Sequence, residues 1–237
     1  MKYPFISVVI PTLNEENYIE NTLKAVKRQN YSGEYEIIIA DGMSKDKTIE
    51  IAKKYTKKIV LVKKKGIAAG RNAGAVKAKG EILVFLDGDT MPSRNLFSDI
   101  AKIFRNKEVV GAACKLYAIE PDESIKNLYK FYNKFMKLTI KMEKASIPGV
   151  CCIYRKSVFR RIGQFNENLP TFEDVEFSLK ANELGKIVRL PNSFALTSGR
   201  RVKKMGAKKA FFIYLFNFLK FYYIGKGFSA EEYRPVR

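Results

Sequence analysis

The sequence predicts an α/β sandwich whose central sheet is mostly parallel and is flanked by helices. In the first ninety residues, short β-branched runs alternate with stretches of helical character, which is the pattern of βαβ units. Each run is apolar at consecutive positions, as in strands that are buried on both faces. With 46% apolar and 13% aromatic residues among 237, the chain can also build a sizeable core.

The alternation gives four strands and three helices in order. The strands are FISVVI, YEIIIA, KIVLV and EILVFL, and the helices between them cover residues 16–30, 46–55 and 67–78. Beyond residue 105 the rhythm changes: VVGAACKLYAI could form another strand, and residues 125–142 have a helical pattern. No repeat or linker divides the chain, so we expect one domain over residues 1–205 and a C-terminal helical extension over residues 206–237.

Polar, carboxylate-bearing segments follow three of the predicted strands. They are PTLNEE after the first strand, DGMSKDKT after the second and DGDT after the fourth. The carboxyl ends of parallel strands form the binding crevice of an open α/β sheet. These three loops are therefore expected to converge on one site.

Asp87 and Asp89 flank Gly88 directly after the apolar strand EILVFL. Charge repulsion and desolvation both disfavour two carboxylates at such a position unless a cation lies nearby. A hard divalent ion that also holds a diphosphate suits them, although Asp-Gly-Asp is equally a common turn sequence.

The chain is strongly basic, with 44 Lys and Arg against 24 Asp and Glu, a net charge of +20 and no His. Nucleotides, nucleic acid and anionic lipid are the partners that such a charge attracts. Three cysteines without regular spacing argue against a disulfide framework or a cysteine zinc site and favour a reducing compartment. The N-terminal apolar run is short for a signal peptide, and AFFIYLFNFL is short for a membrane span, so a cytoplasmic protein is expected.

Four segments together resemble the family 2 glycosyltransferases, which are nucleotide-sugar transferases of the GT-A fold. In order they are SVVIPTLNEENYIENTL, EIIIADGMSKDKT, GRNAG followed by GEILVFLDGD, and IGQFNENLPTFEDVEFSLKANELG. The resemblance runs from about Ser7 to Arg201. It implies a GT-A-type, Rossmann-like fold and metal-dependent transfer of a hexose from a UDP- or GDP-sugar with inversion at the anomeric carbon.

The resemblance also implies roles for individual residues. Asp87 and Asp89, with Gly88 between them, would bind Mn²⁺ or Mg²⁺ on the donor diphosphate. The residues implied in nucleotide-sugar binding are Pro11, Thr12, Glu15, Asp41, Ser44, Asp46, Arg71 and Asn72. For Asp46, a helix cap ahead of KTIEIAKKY is an alternative of at least equal weight.

Glu173 and Asp174 are the predicted catalytic pair. On a helix, adjacent side chains point about 100° apart, so only one of the two is expected to reach the acceptor. By resemblance Asp174 is the general base and Glu173 supports the site by hydrogen bonding. The alternative is that both acids are present only because a helix N-terminus favours carboxylates. Pro148 and Gly149 begin a segment that resembles the acceptor-side lining of the family.

Many relatives have a His late in the domain, and this chain has none. The segment TSGRR offers Arg200 and Arg201 instead. Arginine is a permanent, forked donor for phosphate oxygens, so either residue could steady the leaving diphosphate, although neither could bind the metal. The alternative is two surface arginines in a basic chain.

A lysine ladder, defined as Lys126, Lys130, Lys134, Lys137 and Lys141, occupies one face of the helix predicted at residues 125–142. It is either a solvated helix face or a surface for anionic lipid. The aromatic segment at residues 208–228 could be a core helix, a dimer contact or an interfacial anchor. The interfacial reading places the enzyme at the inner face of the cell membrane with a lipid-linked acceptor, such as a polyprenyl phosphate, or a glycan; the oligomeric state is left open.

Two other classes of function compete with this interpretation. A nucleic-acid-binding protein would explain the charge, but acidic loops at the expected binding edge would repel a polyanion. A sugar-nucleotide pyrophosphorylase would share the sheet and the acidic metal site, but its glycine-rich first loop is replaced here by PTLNEE. The sequence therefore favours the glycosyltransferase without identifying the sugar, the base or the acceptor.

Overall fold

A computed structural model describes residues 3–120 and 122–224 of the chain. Within them lies one eight-stranded mixed sheet, in the order β3-β2-β1-β4-β7-β6-β8-β5, flanked by helices. The strands are β1 (Ile6–Thr12), β2 (Tyr35–Asp41), β3 (Ile59–Leu61), β4 (Ile82–Leu86), β5 (Thr90–Pro92), β6 (Val109–Ala118), β7 (Cys151–Arg155) and β8 (Lys186–Thr197). The helices are α1 (Ile19–Lys27), α2 (Thr48–Lys53), α3 (Ile67–Lys77), α4 (Leu96–Ile103), α5 (Glu123–Lys141), α6 (Lys156–Ile162), α7 (Glu173–Asn182), α8 (Arg200–Met205) and α9 (Ala207–Ile224).

The first half of the chain forms the parallel part of the sheet. β1 lies between β2 and β4 and is parallel to both, and β3 extends the sheet beyond β2. All of β4 is buried, as the consecutive apolar run predicts. The four strands and three helices expected here are confirmed, with ends that shift by a few residues.

The second half makes the sheet mixed. β7 runs antiparallel between β4 and β6, and β8 is parallel to β6 and antiparallel to β5. The strand predicted at VVGAACKLYAI is β6. The sequence pattern did not predict β5, which is three residues long, or β8, which contains a proline and several polar residues.

Close packing of α3 on the sheet positions one wall of the crevice. A Cβ at Gly74 would overlap Val9 of β1, and a Cβ at Gly70 would lie 3.2 Å from Pro11 Cβ. Because glycine occupies both positions, α3 can approach β1 closely. Arg71 and Asn72, on the same helix, are thereby brought under the carboxyl edge of the sheet.

α5 and α9 pack against each other beside this edge. Ile125 of α5, Val202 of α8 and Ala210 of α9 form a small buried cluster. Rings of the two helices also meet edge to face, in the pairs Phe131–Phe211 and Phe135–Phe218. Among the described helices, none combines the length and apolarity that crossing a bilayer would require.

Candidate active site

Charged side chains from both halves of the chain meet at the carboxyl edge of the parallel strands. The acids are Glu15, Asp87, Asp89, Glu173 and Asp174, and the bases among them are Arg71 and Arg200. Three of the ion pairs join residues that are far apart in sequence. The loops PTLNEE and DGDT meet here as predicted, and the loop DGMSKDKT is hydrogen-bonded to PTLNEE through Asp46 and Thr48.

The two aspartates of the Asp-Gly-Asp element meet different arginines. Asp87 Oδ1 lies 3.1 Å from Arg71 Nη2, and Asp89 Oδ2 lies 3.2 Å from Arg200 Nη2. The side chains are 24% and 12% exposed, respectively. Burial, followed by the charge of Asp87, raises the pKa of Asp89 to about 7, and the charge of Arg200 opposes this rise.

Arg200 bridges the first-strand loop and the Asp-Gly-Asp element. In addition to Asp89, it pairs with Glu15 Oε1 at 2.5 Å, and its guanidinium lies 4.8 Å from the centre of the Tyr18 ring. The turn that carries it is held by Glu120, whose carboxylate accepts hydrogen bonds from Gly199 N and from Ser198 Oγ. The charge of Arg201 opposes the rise that burial causes in the pKa of the Tyr214 hydroxyl.

The site offers oxygen donors of the kind that Mn²⁺ and Mg²⁺ prefer. Glu15 Oε2 is buried without a hydrogen-bond partner among the described residues, and Asp87 and Asp89 are partly exposed on the crevice. Within residues 3–120 and 122–224, no three His, Cys, Asp or Glu side chains are arranged so that they could hold a metal ion by themselves. The donor set therefore fits an ion whose remaining ligands are substrate phosphates and water, as is usual for Mg²⁺.

Asp41 lies at the end of β2 and is fully buried. One of its oxygens accepts from Ser44 N at 2.7 Å, and the other accepts from the hydroxyls of Thr12 and Ser44. This network joins the ends of β1 and β2 and fixes the wall to which Pro11 also belongs.

Asp46 holds the start of α2. Its Oδ1 accepts from both the amide and the hydroxyl of Thr48, and its Oδ2 accepts from the amide of Glu16. The N-cap position of α2 is Lys47, so Asp46 lies one residue before the cap, where it bonds Thr48 at the start of the helix and ties the first-strand loop to the second.

Glu173 and Asp174 begin α7 and diverge from each other, as expected for neighbours on a helix. Glu173 is buried, and its Oε1 pairs with Arg71 Nη1 at 2.5 Å. Asp174 accepts from the amide of Gly149 at 2.5 Å and from the amide of Val175 at 2.8 Å. Burial, together with the neighbouring Asp174 charge and against the charge of Arg71, raises the pKa of Glu173 to about 7. Burial also raises the pKa of Asp174 above its ordinary value.

α5 borders the acid pair. Burial raises the pKa of Tyr132 well above its ordinary value, and the negative charge of Asp174 adds to this rise. The Tyr132 side chain itself packs against the hydrophobic core.

Asn72 does not point into the open crevice. Its Nδ2 donates hydrogen bonds to Phe165 O and to Glu167 Oε1, and its Oδ1 accepts one from Phe165 N. The structure thus brings most of the predicted site residues to one edge and turns the Asn72 side chain away from the open crevice.

The sequence analysis assigned no role to Glu120 or Tyr18, which hold Arg200 in place. Glu120 follows the apolar strand β6 closely, as Asp87 follows β4, and a carboxylate at such a strand end is the signal that could have found it. For Tyr18 the sequence carries no comparable signal.

Comparisons with known proteins agree on one family. The model of glycosyl transferase family 2 matches residues 7–163. The chain is 29% identical over 191 residues to "Glycosyltransferase AglE" of Haloferax volcanii, covering 77% of the chain and 62% of that protein. It is 28% identical to "Minor teichoic acid biosynthesis protein GgaB" of Bacillus subtilis, covering 72% of the chain and 20% of that protein. The chain thus spans less than two thirds of these relatives.

Solved structures share the fold. TarS residues 1–349 of S. aureus in complex with UDP-GlcNAc give a TM-score of 0.67 at 24% identity, covering 83% of this chain and 59% of that one. The mannosyltransferase PcManGT of Pyrobaculum calidifontis, in complex with GDP-Man and Mn²⁺, gives a TM-score of 0.71 at 21% identity. The match covers 100% of this chain and 68% of that one.

Proposed function

The chain belongs to glycosyltransferase family 2, and from this premise we propose that it transfers a sugar from a UDP- or GDP-sugar to an acceptor by direct displacement, with inversion at the anomeric carbon. The observation that carries the proposal is the meeting of two acidic motifs at one sheet edge. Asp87 of the Asp-Gly-Asp element and Glu173 of the acid pair are joined by a single arginine, Arg71. A donor site and an acceptor site thereby become adjacent.

Asp174 is the proposed general base. It would remove the acceptor proton as the acceptor oxygen attacks the anomeric carbon while the bond to the diphosphate breaks. The base must be anionic to act, and its amide partners at Gly149 and Val175 orient the carboxylate. For an acceptor phosphate that is already ionised, Asp174 would orient the nucleophile instead.

Arg200 is the proposed contact for the leaving diphosphate. Its permanent charge and forked donors suit phosphate oxygens, and it lies between Glu15 and Asp89 on the donor side. Asp87 and Asp89 would hold a divalent cation, Mn²⁺ or Mg²⁺, and this ion would neutralise charge on the diphosphate. Binding of Mn²⁺ by PcManGT supports the use of such an ion.

The nucleotide is proposed to lie along Pro11, Thr12, Glu15 and Asp41. These residues line the ends of β1 and β2, where an open α/β sheet binds ligands. The UDP-GlcNAc complex of TarS and the GDP-Man complex of PcManGT support a nucleotide-sugar donor of either base.

The acceptor is proposed to be lipid-linked or a glycan presented at a membrane. The lysine ladder lies on the outer side of α5, and Phe212 and Phe216 of α9 are 66% and 62% exposed. Cations beside exposed aromatic rings are typical of a protein that binds an anionic bilayer surface peripherally. We therefore propose a cytoplasmic enzyme at the inner face of the cell membrane.

The proposed division of the chain places the transferase domain in residues 1–205 and an interfacial extension in residues 206–237. One side of α9 packs on α5 through Phe211 and Phe218, and another side is exposed. Part of the extension, residues 225–237, lies outside the described residues.

A donor panel tests the proposal directly. The protein is incubated with UDP- and GDP-sugars, polyprenyl phosphate and increasing Mn²⁺ or Mg²⁺, and release of UDP or GDP is measured. We expect metal-dependent release from at least one donor and an inverted product by NMR. A retained configuration would contradict direct displacement. Pyrophosphate exchange with a nucleoside triphosphate would point to a pyrophosphorylase, and tight RNA or DNA binding without turnover would point to a nucleic-acid-binding protein.

A further inference from the structure

Arg71 and Asn72, adjacent residues of α3, both bind the segment that leads into α7. They are 2% and 4% exposed. The resemblance assigns this pair to the nucleotide, but the hydrogen bonds of the two side chains run mainly to residues 165–173. The contacts fall at the two ends of that segment, which we call the acid-pair loop.

Asn72 holds the start of the acid-pair loop. Its Nδ2 donates to Phe165 O at 2.9 Å and to Glu167 Oε1 at 2.8 Å, and its Oδ1 accepts from Phe165 N at 3.0 Å. Lys64, in the segment before α3, pairs with the other oxygen of Glu167 at 2.6 Å. All hydrogen-bonding atoms of the Asn72 side chain are thus engaged with one end of the loop.

Arg71 holds the end of the acid-pair loop and links it to the donor side. One guanidinium nitrogen pairs with Glu173 at 2.5 Å and another with Asp87 at 3.1 Å. The guanidinium carbon also lies 5.6 Å from the centre of the Phe165 ring. The same side chain therefore contacts both ends of the loop as well as the Asp-Gly-Asp element.

Gly149 connects this arrangement to the proposed base. A Cβ at position 149 would overlap the guanidinium of Arg71, so only glycine leaves room for the arginine. The amide of the same glycine donates to Asp174 Oδ2 at 2.5 Å. The position of Arg71 and the position of the Asp174 carboxylate are consequently linked through one residue.

We propose that Arg71 and Asn72 are positioning residues for the general base. They clamp the acid-pair loop at both ends and so set the distance between Asp174, on the acceptor side, and Asp87, on the donor side. This inference rests on the proposed function for its catalytic consequence, but the clamp itself is a property of the fold.

The test compares Asn72→Ala, Gly149→Ala and the double variant Arg71→Met/Glu173→Gln with the parent protein. The double variant removes both members of the buried ion pair, because Arg71→Met alone would leave Glu173 buried without its partner. Lys77→Gln, an exposed position at the far end of α3, is the matched control. Amide hydrogen exchange of residues 163–175, donor affinity and turnover are measured for each protein.

Asn72→Ala should increase hydrogen exchange in residues 163–175 by about tenfold or more. Turnover should fall by about 10²-fold, because a small displacement of a catalytic group is that costly. Affinities for UDP-GlcNAc and GDP-mannose, each with Mn²⁺, should stay within about threefold of the parent values. In Gly149→Ala and in the double variant, turnover should likewise fall while donor affinity stays near the parent value. Lys77→Gln should behave like the parent.

Unchanged protection of residues 163–175 in Asn72→Ala and in the double variant would overturn the clamp. A loss of donor affinity as large as the loss of turnover would also overturn it and would restore the nucleotide-contact role. A parent protein that binds neither donor and releases no nucleotide from any donor of the panel would defeat the proposed function instead. Hydrogen exchange would still decide whether the loop is clamped, so the two failures are distinguishable.

Discussion

Individual carboxylates at the sheet edge differ in function because their partners differ. Asp89 faces Arg200 and the first-strand loop, whereas Asp87 faces Arg71 and the acid pair. Glu173 forms an ion pair with Arg71, whereas the Asp174 carboxylate accepts hydrogen bonds from the backbone amides of Gly149 and Val175. Amide donors fix the orientation of the Asp174 carboxylate, and the charge of Arg71 opposes the rise that burial causes in its pKa.

Asp89→Asn should abolish metal-dependent turnover and leave the fold intact. The substitution removes a charged group that is the proposed metal ligand, at a crevice position where the side chain is not part of the apolar core. Outer-sphere partners of metal ligands are typically worth 10- to 100-fold, so losing a ligand should cost about 10²-fold or more. Nucleotide release is measured against Mn²⁺ concentration, and circular dichroism checks the fold. Asp99→Asn on α4 is the control, and near-parental turnover of Asp89→Asn at saturating Mn²⁺ would rule out the ligand role.

Asp174→Asn should reduce kcat by about 10² to 10⁴-fold with little change in donor affinity, because Asp174 is the proposed base and a base acts on the acceptor. In the parent, kcat should fall as pH decreases through the pKa of the base. Burial raises that pKa above the ordinary aspartate value of 3.8, so the fall should occur at higher pH than for an exposed aspartate. A pH profile of kcat at saturating donor with an acceptor alcohol checks this. A profile that is flat down to the ordinary aspartate range would contradict the assignment.

The three faces of helix α5 have different surroundings. Ile125 and Met136 face the core, Tyr132 borders the acid pair, and the lysine ladder lies on the outer side. α9 covers part of the remaining face through its aromatic contacts with Phe131 and Phe135. The same helix thus carries the lysine ladder of the proposed membrane surface and a tyrosine whose pKa responds to the charge of Asp174.

Asn133→Ala should destabilise the protein by about 2–4 kcal/mol. Asn133 is buried, and its amide bonds both Leu116 N and Leu116 O, beyond the point where β7 stops pairing with β6. Alanine would leave two backbone groups unsatisfied, at about 1–3 kcal/mol each. Urea unfolding measures the change, with Asn127→Ala on the exposed side of α5 as the control. A loss no larger than that of the control would show that the two bonds contribute little.

Replacing all five lysines of the ladder with Gln should weaken binding to anionic vesicles. Each lysine near an anionic surface contributes about 1 kcal/mol, so the five together could retain the protein without a lipid anchor. Sedimentation with phosphatidylserine-containing vesicles at low and high salt is the measurement, and neutral vesicles are the control. If the parent does not bind, or if binding is unchanged in the variant and insensitive to salt, the ladder is only a solvated helix face and a soluble acceptor is the better proposal.

The whole molecule carries a charge of +20, although its site is rich in carboxylates. The long-range field therefore attracts an anionic donor, while the acids at the sheet edge provide local sites for a cation. The net positive charge acts at long range and the carboxylates act only within the crevice, so both are compatible with a negatively charged substrate.

Donor KM should rise by about threefold or more when NaCl increases from about 50 to about 500 mM, because salt screens the long-range attraction. The change in kcat should be smaller, since the contacts within the crevice are screened less. Initial rates across donor concentrations measure both constants, and sucrose at equal osmolality is the control. A KM that does not depend on NaCl would show that the net charge does not guide the donor.

Much of the fold was determined by the sequence itself. The βα rhythm, the consecutive apolar strands and the carboxylates after β1, β2 and β4 are local patterns, and the structure confirms the elements that they predict. Secondary structure of this kind depends on residues a few positions apart, so a single sequence is sufficient to find it. The order of the motifs was enough to indicate the family.

Only the tertiary structure decided which side chains meet. Arg71 and Glu173 are 102 positions apart, and Arg200 and Glu15 are 185 apart. No local pattern specifies such pairs, because they depend on how α3, α7 and α8 pack around the sheet. For the same reason, Asn72 was assigned to the nucleotide by its motif, whereas the packed structure places its amide on the backbone of Phe165.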